Sequence, residues 1–116
     1  MLEPQFKSLL VAIVMVTYVL QVSVRFFTSL REIIGKKEQI FEFSEGDTVT
    51  VNEVLQRLSE QYGQSFVEYV FDDQTNQVKG FLQLLVNGRS ISSISGLDAE
   101  LTDGDVLALL PPVGGG

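Results

Sequence analysis

The group in this sequence best suited to chemistry is the chain end. The last stretch runs Asp103-Gly104-Asp105-Val106-Leu107-Ala108-Leu109-Leu110-Pro111-Pro112-Val113-Gly114-Gly115-Gly116. The 116 residues include no Cys and no His. That removes a thiolate nucleophile, an imidazole base, a disulfide framework and the usual zinc ligands. Carboxylates, hydroxyls, amines and the terminus remain. The adjacent acids Asp72 and Asp73 invite a metal reading, but the stretch lacks the turn Gly and terminal Glu of an EF-hand loop. It reads as a solvated turn.

An α-carboxyl ionises near ~3.5, so it is a carboxylate at neutral pH. A carboxylate resists attack by a thiol or an amine. If it attacks the α-phosphate of ATP it becomes an acyl-adenylate, with AMP as leaving group. A sulfur donor then yields a thiocarboxylate, and a lysine amine yields an isopeptide. The sequence has no P-loop and no marked pair of coupled acids. An activating enzyme must therefore supply the ATP site, magnesium and sulfur, and this chain is expected to bind no cofactor and to be no enzyme. Terminal glycines are often merely frayed. A thread without side chains can also enter a narrow channel without a Cβ striking its wall.

The elements that aim such a thread lie just before it. Asp103-Gly104-Asp105 is a tight turn. Val106 to Leu110 is a short apolar run that reads as a buried strand. Pro111 and Pro112 end the strand because they have no N–H for a ladder, and they favour a stiff extended exit.

Asp-Gly-Asp, a short apolar strand and Pro-Pro-Val-x-Gly-Gly resemble the MoaD/ThiS sulfur carriers. These comprise the small subunit of molybdopterin synthase and ubiquitin-like relatives, including the small archaeal modifier proteins. The resemblance spans residues 21–116, with the tail diagnostic and Gly114 a mild departure from the usual small residue. It implies that an E1-like enzyme adenylates Gly116. It further implies that the thiocarboxylate passes to an acceptor, with the large subunit of molybdopterin synthase the expected one. The same activated glycine also permits conjugation to lysines of target proteins, or sulfur donation for tRNA thiolation. Pro112, Val113, Gly114 and Gly115 would meet the partners within the tail. Phe27, Leu85 and Leu109 would dock them on an apolar sheet patch. A cytoplasmic location follows from the same resemblance.

The charge of −7 disfavours a nucleic-acid partner, because an acidic surface repels phosphates. It suits a basic partner or simple solubility. The length allows one domain. No charge occurs from Ser8 to Val24, and three readings of residues 1–20 compete. They are a signal or membrane anchor, short for the ~20 apolar residues a span needs; an extra strand or helix on the domain; and a start later in the chain, for instance at Met15. The expected organisation is an apolar extension over 1–20, a domain over 21–110 and a flexible tail over 111–116, with no membrane association.

Within the domain, Val22, Val24 and Phe26 alternate with Ser23 and Arg25, which predicts a strand. Ser29-Leu30-Arg31-Glu32 has capping-box form before a short helix, and Gly35 suits its end. Gln39–Ser44 reads as a second strand. Thr50 caps a main helix carrying Val51, Val54, Leu55, Leu58 and Tyr62, which Gly63 ends. Phe66, Val67, Val70 and Phe71 fit a helix. Phe81–Val86 reads as a strand before the hairpin dipeptide Asn87-Gly88, with Ser90-Ile91 as its return. Ile94 and Leu97 are expected to pin the following link. The order implies an α+β fold with one main helix packed on one face of a mixed sheet. It is similar to the β-grasp, or ubiquitin-like, fold, in which the first and last strands are parallel central neighbours.

Overall fold

The alternation at Val22, Val24 and Phe26 becomes strand β1 (Val19–Phe26) in a computed structural model that describes residues 19–44 and 46–111. All three side chains are fully buried, while Arg25 is exposed and Ser23 half-buried. The strand begins two residues before Gln21, where the sequence suggests that the domain starts. Leu20 is already in the core and pairs with Phe43. A boundary at 20/21 therefore cuts through β1. The other readings of the N-terminal segment lie outside the described residues.

Helix α1 (Thr28–Ile34) starts two residues earlier than the capping box suggests. Its N-cap is Phe27, with no side-chain cap, because Thr28 turns the chain with a left-handed φ of 47°. Ser29 is already helical, and its hydroxyl accepts from the Tyr69 hydroxyl at 3.2 Å. Gly35 ends α1 at φ 87° and donates to the Arg31 carbonyl, as a glycine C-cap should. Strand β2 (Glu38–Ser44) returns antiparallel to β1, with Val22 opposite Phe41.

Helix α2 (Val51–Tyr62) is the main helix. The Thr50 hydroxyl accepts from the Glu53 N–H at 3.2 Å, which satisfies one of the orphan donors of the first turn. Val51, Val54, Leu55 and Leu58 are fully buried along one stripe. Burying each leucine stabilises the fold by about 2 kcal/mol. Gly63, at φ 74°, breaks the axis and starts helix α3 (Gln64–Val70), which buries Phe66 and Val70. Val67 stays on the outer side.

Strand β3 spans Gln83–Val86. The expected strand from Phe81 starts two residues later because the backbone before it is used in a turn. Lys79 N–H donates to the Val70 carbonyl and Leu82 N–H to the Lys79 carbonyl. Phe81 is consequently exposed. Asn87 and Gly88 both take positive φ and join β3 to the short strand β4 (Arg89–Ser90), as a two-residue hairpin requires. Leu97 packs on the core in the link that follows, but Ile94 is exposed.

Strand β5 (Val106–Leu110) completes a five-stranded mixed sheet in the order β2-β1-β5-β3-β4. It lies parallel to β1 and antiparallel to β3. The helices cover one face, and no polar side chain is buried among the described residues. No helix among those residues is long and apolar enough to cross a membrane.

Candidate functional site

The site is built at one end of the sheet, where β5 stops. Because β1 and β5 are parallel, with Phe26 beside Leu109, both strands finish at the same end. Pro111 is the last described residue there, and it is buried. Pro112, Val113, Gly114, Gly115 and Gly116, the expected tail and reacting residue, lie outside the described residues.

Asp103-Gly104-Asp105 holds β5 in register at the opposite end. Gly104 takes φ 87° and donates to the Gln21 carbonyl at 2.8 Å. The Gln21 N–H in turn donates to the Asp103 carboxylate at 2.8 Å. Asp105 gathers three elements: its carboxylate accepts from the Thr102 N–H and the Asn87 amide, and its carbonyl accepts from the Ser23 N–H. Asn87 then accepts from the Val106 N–H at 2.9 Å. A one-residue slip of β5 would break these bonds and turn its core side chains outward. The turn therefore decides where the strand ends and the tail begins.

Alternate residues of β5 face opposite ways. Leu107 and Leu109 are fully buried against the helices, beside Val24 and Phe26. Leu109 is thus a core residue and not part of a docking patch, contrary to the sequence expectation. Val106, Ala108 and Leu110 are half-buried on the open face. Leu85, opposite Ala108 on β3, is half-buried there too. Ile40 on β2 is 53% exposed and pairs with Ser23, the neighbour of Val106. Phe27 is half-buried at the end of β1, with the Arg31 guanidinium 6.0 Å from its ring centre. The open face thus carries an apolar strip running towards the end of the sheet where β5 stops. Sequence reasoning missed Ala108, Leu110 and Ile40. The alternation at Glu38–Ile40–Glu42 is the signal that could have exposed Ile40.

Asp72 and Asp73 form no metal site, and no metal-ligating cluster occurs among the described residues. The Asp72 carboxylate accepts from the N–H groups of Gln74 and Thr75 at 2.8 and 3.1 Å. Those backbone hydrogen bonds hold its pKa below the ordinary carboxylate value. The acid is the support of a turn.

A mixed sheet with helices packed on one face is the ubiquitin-like, β-grasp arrangement, and comparison with known proteins agrees. The ThiS family model matches residues 24–116, so the chain belongs to the ThiS family. Membership makes it a carrier rather than a catalyst. The chain is 32% identical to small archaeal modifier protein 3 of Haloferax volcanii, across 84% of this chain and all of that one. It resembles the solution structure of small archaeal modifier protein 1 from Methanosarcina acetivorans at TM-score 0.68 and 30% identity, covering 85% and 99% of the two chains. It is also similar to a chain of the BexX/CysO complex of Amycolatopsis orientalis, at TM-score 0.62 and 29% identity, covering 82% and 99%.

Proposed function

We propose that this chain is a ubiquitin-like modifier whose Gly116 carboxylate is activated by an E1-like enzyme and then joined to lysine amines of target proteins. The carboxylate oxygen attacks the α-phosphorus of ATP and releases pyrophosphate. A lysine nitrogen then displaces AMP, losing a proton, and an isopeptide bond forms. The observation that carries this reading is the end of the central strand β5 at Leu110–Pro111, at one end of the sheet, followed in the sequence by Pro112, Val113 and three glycines. The similarity to two proteins named as modifiers supports conjugation as the outcome.

The second reading replaces the lysine with a sulfur donor, so that Gly116 leaves as a thiocarboxylate. Membership of the ThiS family favours it. Its acceptor would be the large subunit of molybdopterin synthase or a tRNA-thiolating enzyme. The apolar strip of Ala108, Leu110, Leu85 and Ile40, with Phe27 at its end, would dock the partners in either reading.

The test is mass spectrometry after incubation with an E1-like enzyme, ATP and either a cell extract or a sulfur donor. Intact chain should gain lysine adducts in the first case, or the mass of sulfur replacing oxygen in the second. Deleting Gly116 should abolish both and leave the melting temperature unchanged. Equal activation of the deletion variant would defeat both readings.

A further inference from the structure

The chain is strongly acidic, yet its positive charge is gathered at one place. One of the eight lysines and arginines, Lys7, precedes Val19, which leaves seven from there on. Four of these seven are Arg25, Arg31, Lys36 and Lys37. Against them stand Glu32 and Glu38, so residues 25–38 carry +4 − 2 = +2 in a chain of −7. The opposite end of the sheet carries Asp103 and Asp105, in the turn that leads into β5.

The cluster is built into a cleft. Arg25, Phe27, Arg31, Lys37 and Glu38 line it, at the corner where β1 turns into α1. Phe26 N–H donates to the Lys37 carbonyl at 2.8 Å, which sets the start of β2 beside the end of β1. The Arg31 Nε donates to the Phe26 carbonyl at 3.3 Å, fixing the guanidinium over Phe27. Its two amino groups keep their donors. Arg25 is held by Glu38 at 3.1 Å, the one ion pair among the described residues. Arg31 and Lys37 form none. The end of β5 is two strands from Lys37, about 10 Å away at the usual strand spacing. Any enzyme that takes in the tail must come against this rim.

We propose that the Arg31–Lys37 cleft seats a carboxylate from an acidic surface of the enzyme that activates Gly116, so orienting the carrier before the tail enters. This rests on the activation reading above. A guanidinium fork beside a half-buried ring, with an ammonium lining the same cleft, fits a carboxylate on a protein loop. The acidic far end would be repelled by the same surface, which leaves one orientation for docking.

The experiment follows adenylation by ATP–pyrophosphate exchange, using the full chain and an E1-like enzyme over a range of salt. Arg31→Gln combined with Lys37→Glu should raise KM about tenfold at low salt, with kcat near wild type and a flatter salt dependence. Arg89→Glu, on the hairpin at the other end, should lower KM or leave it unchanged. If the double variant melts early, Lys37→Gln alone replaces it and should raise KM about threefold. Unchanged KM and salt dependence, or a loss confined to kcat, would overturn the cleft. No exchange with the intact chain would instead sink the activation reading itself.

Discussion

The two faces of this sheet are made by the same strands and obey different rules. On the covered face, Val22, Val24, Phe26, Leu107 and Leu109 exclude solvent altogether. One residue along, on the open face, Ser23, Ala108 and Leu110 are half-buried, and Arg25 is exposed. The chemistry of the two sets overlaps, since Leu109 and Leu110 are the same residue type. What separates them is parity relative to the partner strand. Neighbouring positions can therefore serve stability and recognition separately, and single substitutions should tell the two apart.

The largest contrast should come from Leu107→Asp against Ala108→Asp. The first puts an unpaired charge between β1 and β3 under the helices and should unfold the domain, a loss exceeding about 4 kcal/mol. The second should keep a cooperative thermal transition while weakening partner docking. Equal melting temperatures would mean that the two faces are not distinct.

A smaller contrast is offered by Phe41→Ala and Ile40→Ala on β2. Phe41 is buried and Ile40 is 53% exposed. Urea unfolding should give a loss of about 3 kcal/mol for the phenylalanine. The isoleucine change should stay within about 0.5 kcal/mol, as surface changes usually do. A larger cost at Ile40 would show that something covers the open face.

The smallest effect is expected at the cap of α2. Thr50→Ala removes the acceptor for the Glu53 N–H and should cost about 1 kcal/mol by the same measurement, without touching either face. No measurable cost would mean that water serves that donor equally well.

These contrasts also mark what could be read from sequence. Strand β1 and the main helix were legible because alternation in β1 and a cap-plus-stripe in α2 are local signals, whereas the parallel central pair was implied only by the resemblance to the β-grasp fold. Leu109 was misplaced because Val106 to Leu110 is apolar at every position. Such a run has no visible parity, and only pairing with β1 decides which residues face the helices. Ser29 and Phe81 failed for a related reason. A left-handed Thr28 and a turn bonded back to Val70 are set by the surrounding fold. The Arg31–Lys37 cleft joins residues that local spacing separates by a helix and a turn. The positions that will bear the tail were legible as composition alone, in the Pro-Pro and Gly-Gly-Gly sequence.

The parallel pairing of β1 with β5 has a consequence for the order of events in the cell. Ser23 meets its partner Val106 across 106 − 23 = 83 positions of chain. Proteins are made from the N-terminus, and closing so long a loop is entropically costly and slow. During synthesis β1 must wait, with one side of its ladder open, until β5 has emerged. The strand that closes the sheet is also the strand that carries the tail. A half-made or misfolded copy has no finished end of β5 from which the chain can continue, so in the reading proposed above completion of the fold acts as a licence for activation.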